Sequence, residues 1–219
     1  MRKIFFFSLL FVLAYSKSNA QFLQDQNGTA YVVKPYSNIT GSPFLFADWT
    51  NGIVKLRNGN TYDKVGLKYN IHEEILVFKS NKGEQLEFVQ PVEEFAFYNS
   101  DGSKRIFKNL STYKQAKKGN AYFEVLYDGG VPLYKKVNKD ILETREYGSS
   151  VLLKRFEDII GYYTRKDGNI IPVKKLDERL LASLFNGKTN QIKDYLEKNT
   201  ISTKDERSLI ALFSYLNSN

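Results

Sequence analysis

The chain has 219 residues, a formal net charge of +8 and no cysteine. That excludes disulfides, thiolate metal sites, a cysteine nucleophile and the acylated cysteine of a bacterial lipoprotein. Its single histidine, His72, has no second imidazole to share a zinc ion with, and any Ser-His-Asp triad would have to use it.

Residues 1–20 read as an address. Arg2 and Lys3 form a positive start, Ile4 to Tyr15 is apolar but for Ser8, and Ser18-Asn19-Ala20 offers the small residues a signal peptidase reads. The apolar run is about 12 residues, against the roughly 20 of a spanning helix. The expectation is an exported chain starting near Gln21, with no transmembrane helix after cleavage. A secreted animal domain of this size usually carries disulfides, so their absence favours a bacterial envelope. Net charge falls to +5 once Arg2, Lys3 and Lys17 leave, and it is uneven: −2 over residues 21–100 and +7 over 101–219. The basic excess is interspersed with acids and carries no nucleic-acid motif. Together with export, that argues against a nucleic-acid partner.

Residues 21–48 are irregular. Tyr31 to Val33 is a short strand candidate, Gly41-Ser42-Pro43 a turn, and Phe44, Leu45, Phe46 and Trp49 an apolar plug. Asn27, Asn38 and Asn109 sit in glycosylation sequons, which carry no meaning in a bacterial reading. Residues 49–175 read as an antiparallel β-domain. From Trp49 to Phe97 the pattern is a meander. Val65, Leu67, Tyr69 and Ile71 alternate with polar residues, the period of a strand. Asn58-Gly59 suits a tight turn with two successive positive φ angles. Asn81-Lys82-Gly83, Ser100-Asp101-Gly102-Ser103, Asp128-Gly129-Gly130 and Lys166-Asp167-Gly168-Asn169 repeat the strand–turn–strand device. Pro132 and Pro172 cannot donate to a ladder, which places both return strands at an edge. Residues 138–158 fit neither period.

Residues 176–219 read as two to three short helices. Leu176, Leu180, Leu181 and Leu184 recur at helical spacing, and Asn186-Gly187 stops them. Thr189 or Asn190 caps a second helix with Ile192, Tyr195 and Leu196. Thr203 and Glu206 form a capping box before the stripe of Leu209, Ile210, Phe213 and Leu216. The fold class is therefore mainly β with a helical C-terminus (α+β), as a hairpin meander sheet or a barrel-like sandwich followed by helices.

Motifs for chemistry are missing. There is no Gly-x-Ser-x-Gly elbow and no glycine-rich phosphate loop. Asp101-Gly102-Ser103 and Asp167-Gly168-Asn169 lack the further ligands of a calcium loop. The acid pairs Glu73-Glu74, Glu93-Glu94 and Glu157-Asp158 are neighbours, which point to opposite faces of a strand. No cofactor is implied, and the chain does not read as an enzyme.

The segments GSPFLFADW, GIVKLRNGNTYDKVGLKYN, VLYDGGVPLYKK and GYYTRKDGNIIPVKK, with the helical tail and the Asn-Ala-Gln leader end, resemble uncharacterised exported proteins of the Bacteroidota. The resemblance implies a periplasmic, outer-membrane-associated or secreted location. It transfers no activity and no site residues. The expected function is an envelope protein acting as a protein-binding or structural module, with another envelope protein as its partner. The candidate partner surface is Tyr195, Leu209, Phe213 and Leu216 on the helices, with Lys117 and Lys118 in the basic loop. The alternatives are a glycan-binding module resting on surplus tyrosines, and a hydrolase using carboxylates brought together across strands.

Overall fold

The computed structural model describes residues 28–116, 119–145 and 151–218. The leader and its cleavage point lie outside the described residues. Twelve strands and three helices follow in order: β1 Gly28–Ala30, β2 Ile39–Thr40, β3 Thr50–Leu56, β4 Thr61–Asn70, β5 Ile75–Lys79, β6 Gln85–Phe88, β7 Val92–Tyr98, β8 Lys104–Asn109, β9 Tyr122–Tyr127, β10 Leu133–Arg145, β11 Leu152–Lys166, β12 Asn169–Pro172, α1 Glu178–Leu184, α2 Thr189–Lys198 and α3 Glu206–Asn217. The mainly β architecture with a helical end is as the alternation and the late helical period predict. All the strands join one sheet.

Three hairpins share one turn. Gly59, Gly83 and Gly102 donate their amides to the carbonyls of Leu56, Ser80 and Asn99, each at 3.0 Å. The amides of Leu56, Ser80 and Asn99 in turn reach the carbonyls of Asn60, Glu84 and Ser103, at 2.9, 2.9 and 2.8 Å. This is a type I turn closed by a left-handed glycine bulge, so one positive φ suffices. The double positive φ expected at Asn58-Gly59 is found instead at Asp167 and Gly168, at 50° and 74°.

The sheet order is β1-β6-β5-β4-β3-β7-β8-β9-β10-β11-β12, with β2 added in parallel to β11. The meander therefore breaks after β6, and β7 returns to pair with β3 rather than with β6. In a flat sheet β6 and β7 would stand four spacings apart, roughly 19 Å. Phe88 and Val92 are joined by four Cα steps, which reach about 14 Å at most. The sheet must curl, and the inward faces of β3–β9 close around one aromatic-rich core. Phe95 stacks on Phe107 at 4.9 Å between ring centres, and Tyr69 and Tyr122 meet Phe95 edge-on. Leu45 and Phe46 pack on this core, as the expected plug. Residues 28–48 are less irregular than expected, since β1 and β2 lie there.

The helices cover the far end of the same face. Leu181, Leu184, Ile192, Leu209, Leu212, Phe213 and Leu216 are buried with Leu133 and Val173 of the sheet. Asn217 fixes α3 to the β9–β10 turn. It accepts from the Val131 amide at 2.9 Å and donates to the Val131 and Phe213 carbonyls. A side chain at Gly129 would meet the Tyr127 ring at 2.6 Å and Asn217 Oδ1 at 3.0 Å, which is why glycine stands there although its φ is ordinary.

Two cap assignments change. The N-cap of α3 is Asp205, whose carboxylate accepts from the Arg207 amide, and Glu206 reaches Lys135 at 2.7 Å instead of closing a capping box. α2 has no side-chain cap, because Thr189 is already inside the helix. Pro132 precedes β10 rather than marking an edge, since β10 lies between β9 and β11. Pro172 lies in β12, the last strand of the sheet, opposite Tyr163.

Candidate functional site

The ambiguous stretch 138–158 is the most distinctive element of the fold. β10 and β11 pair over thirteen residues each, from Leu133↔Thr164 to Arg145↔Leu152. Their neighbours are much shorter. β9 holds β10 only at Leu133–Lys135, and β12 holds β11 only at Tyr163–Lys166. Beyond Lys135 the two strands run on as a ribbon, an arm leaving the sheet.

A two-stranded ribbon is marginal by itself. Three contacts hold the arm at its root and middle. Lys136 and Glu74 form an ion pair at 2.8 Å with both side chains buried, and Lys136 Nζ also donates to the Tyr122 carbonyl at 3.0 Å. Glu74 has a φ of 60°, the backbone that aims it at the lysine from the β4–β5 turn. Further out, His72 Nδ1 lies 2.7 Å from the Lys139 carbonyl. A carbonyl only accepts, so Nδ1 carries the proton. The His72 ring packs edge-on to Phe156 and Tyr36, at 5.4 and 5.8 Å. His72 is thus half-buried and pins the arm. β2 adds the third contact, beside Lys154 and Arg155.

The arm carries aliphatic side chains in water. Leu152, Leu153, Ile159 and Ile160 are 40%, 47%, 49% and 52% exposed. Opposed pairs put Ile141, Phe156 and Ile160 on one face and Leu142, Leu153 and Ile159 on the other. Phe156 turns inward on His72, and Leu153 and Ile159 point away from it. The irregular period of the sequence has this cause: both faces of a projecting ribbon carry apolar and charged residues together.

The helical partner surface is corrected. Leu209, Phe213 and Leu216 have no exposed surface, because the stripe packs on Leu133 and Val173. Tyr195 is half-buried against Tyr215, with ring centres 4.8 Å apart. Lys117 and Lys118 lie outside the described residues.

Polar sites elsewhere are largely self-satisfied. A cleft of about 600 Å³ on the opposite face of the sheet holds Lys55, Glu93, Lys108 and Asp128. Lys55 pairs with Glu93 at 3.0 Å and Lys108 with Asp128 at 2.8 Å, leaving Glu94 as the cleft carboxylate without an ion pair among the described residues. Trp49 is half-buried, with Lys68 Nζ 5.5 Å from its ring centre, and Tyr215 is the one exposed tyrosine among the described residues. No row of open aromatic faces results. Among the described residues no three acidic or imidazole side chains gather as metal ligands, and no helix is long and apolar enough to cross a membrane.

Searches of protein-family models, curated proteins and solved structures return no match to this chain.

Proposed function

We propose that this is an exported envelope protein that works by binding, and that its partner surface is the β10–β11 arm. One observation carries the reading: four branched aliphatic side chains stand 40–52% exposed on a ribbon that projects from an otherwise well-covered sheet. Leaving such groups in water costs about 25 cal/mol per Å² of apolar surface relative to covering them. Leu152 and Ile160 stand on one face and Leu153 and Ile159 on the other, so the arm offers apolar surface on both sides. Support for export comes from the leader-like residues 1–20. The glycan reading is not favoured, because every described tyrosine except Tyr215 is buried or half-buried, so no open row is formed.

A photo-reactive amino acid placed at Leu153 in the producing cell tests the proposal. The expected result is a discrete cross-linked adduct at Leu153 that is absent at Glu197 on α2. Equal labelling at both positions, or none at Leu153, would remove the arm as a partner surface.

A further inference from the structure

The outer edge of β11 is occupied at both ends and open in the middle. β2 lies beside Lys154 and Arg155, and β12 lies beside Tyr163–Lys166. The last bond on the β12 side runs from the Val173 amide to the Tyr162 carbonyl, at 2.8 Å. Backbone polar groups alternate sides along a strand. With Tyr162 facing β12, the amides and carbonyls of Ile160 and Asp158 face the gap. Gly41 continues past β2 beside the Phe156 amide, and among the described residues no strand pairs with 157–161 on this side.

The opening is a groove, not a bare edge. A cavity of about 420 Å³ lies along Ile159, Ile160 and Gly161, and its other wall is Lys174, Thr203 and Lys204. Neither Lys174 nor Lys204 forms an ion pair among the described residues, and both are exposed. The groove therefore combines unpaired strand donors and acceptors, two aliphatic side chains and two unneutralised ammonium groups.

We infer that residues 157–161 of β11 take up an extended acidic peptide of about five residues from a partner protein, as an inserted strand between β2 and β12. The inference rests on the binding-module reading and names the chemistry of its partner. Length argues against a second copy of this chain. The gap spans about 17 Å, whereas β11 is a 15-residue strand already flanked by β2 and β12. Seated in the gap, a copy of β11 would drive its ends into those two strands. A free segment fits. Its carboxylates meet Lys174 and Lys204, its apolar side chains meet Ile159 and Ile160, and its backbone completes the ladder.

The test is affinity selection of a randomised hexapeptide library on the immobilised full chain, read by mass spectrometry. Selected sequences should be rich in Asp and Glu and free of proline. The best peptide should lose at least tenfold in affinity when alternate backbone amides are methylated, and again on K174E/K204E. The Ile160 amide points into the gap rather than to β10, so I160P should abolish binding while the circular dichroism spectrum is kept. Should I160P unfold the chain, the methylated peptides still decide the matter on the unaltered protein. An empty selection, basic winners, or binding insensitive to backbone methylation would overturn the inference. An adduct at Leu153 together with an empty selection removes the edge site alone and leaves the arm as the partner surface.

Discussion

At position 52 an added β-carbon would lie 2.2 Å from the Ala96 carbonyl oxygen and 2.7 Å from Leu67. Both belong to strands paired with β3, so neither can retreat without breaking a ladder. Gly52→Ala should therefore lower stability by about 2 kcal/mol, read by urea unfolding. Glu73 is a second single residue with wide reach. It accepts from Tyr31 at 3.0 Å and from Asn70 at 3.0 Å, and it pairs with Lys34 at 2.5 Å. Burial alone would raise its pKa, but the Lys34 and Tyr31 hydrogen bonds outweigh it and hold the carboxyl below its usual range. Burial, helped by Glu73, pushes the Tyr31 phenol up to about 12. Glu73 is depressed in the folded state, so its contribution is present above the unfolded value. It is lost as pH falls through the lower folded one. Measured against the intrinsic exchange rate at each pH, amide protection of residues 28–36 should fall on acidification below roughly pH 4.3. In Glu73→Gln the same protection should be low already at neutral pH and lose this acid step. An unchanged step in the variant would assign it to another carboxylate.

At the scale of elements, the arm depends on what holds its root. Removing one partner of the buried Lys136–Glu74 pair leaves a charge without compensation, and such losses run to about 3–5 kcal/mol. Lys136→Met should cost about that much. Lys136→Met/Glu74→Gln should recover part of it, because no isolated carboxylate remains. Thermal and urea unfolding of the two variants measure the difference. Phe156→Ala should act more locally. It removes the ring that meets His72 and Tyr36, so exchange along 139–145 and 152–160 should rise with little change in the helices. The arm was also the element least legible in the sequence. Its residues alternate, but apolar and charged side chains share both faces, since little packs on either. Alternation predicts a strand only where one face is buried, as at Val65–Ile71.

For the whole molecule, the helical tail and the sheet share a core. Leu133 of β10 and Val173 after β12 are buried among helix residues, and Asn217 clamps α3 to the β9–β10 turn. A seam of charge lies between this core and the aromatic one: Arg105 grips Glu124 at 2.8 and 2.7 Å, and Lys135 holds Glu206. The chain should therefore unfold in one calorimetric transition. Deleting residues 176–219 should expose Leu133 and Val173, giving a product that binds hydrophobic dye and lacks a sharp transition. A separate, sharp transition in the truncated chain would make the tail an independent unit.

The order of residues along the chain settles the local structure. Val65, Leu67, Tyr69 and Ile71 dictate a strand, and the glycines at 59, 83, 102 and 168 dictate turns. The leucine spacing from 176 dictates helices, because period and backbone freedom are properties of neighbours along the chain. It did not determine which surfaces stay open. Leu209, Phe213 and Leu216 looked like a free stripe until β10 and β12 covered them, and Leu153 and Ile159 looked unremarkable until no strand did. Burial depends on what arrives from elsewhere in the chain. The return of β7 to β3, the long reach of β10 and β11 and the five-residue gap between β2 and β12 exist only in the assembled sheet.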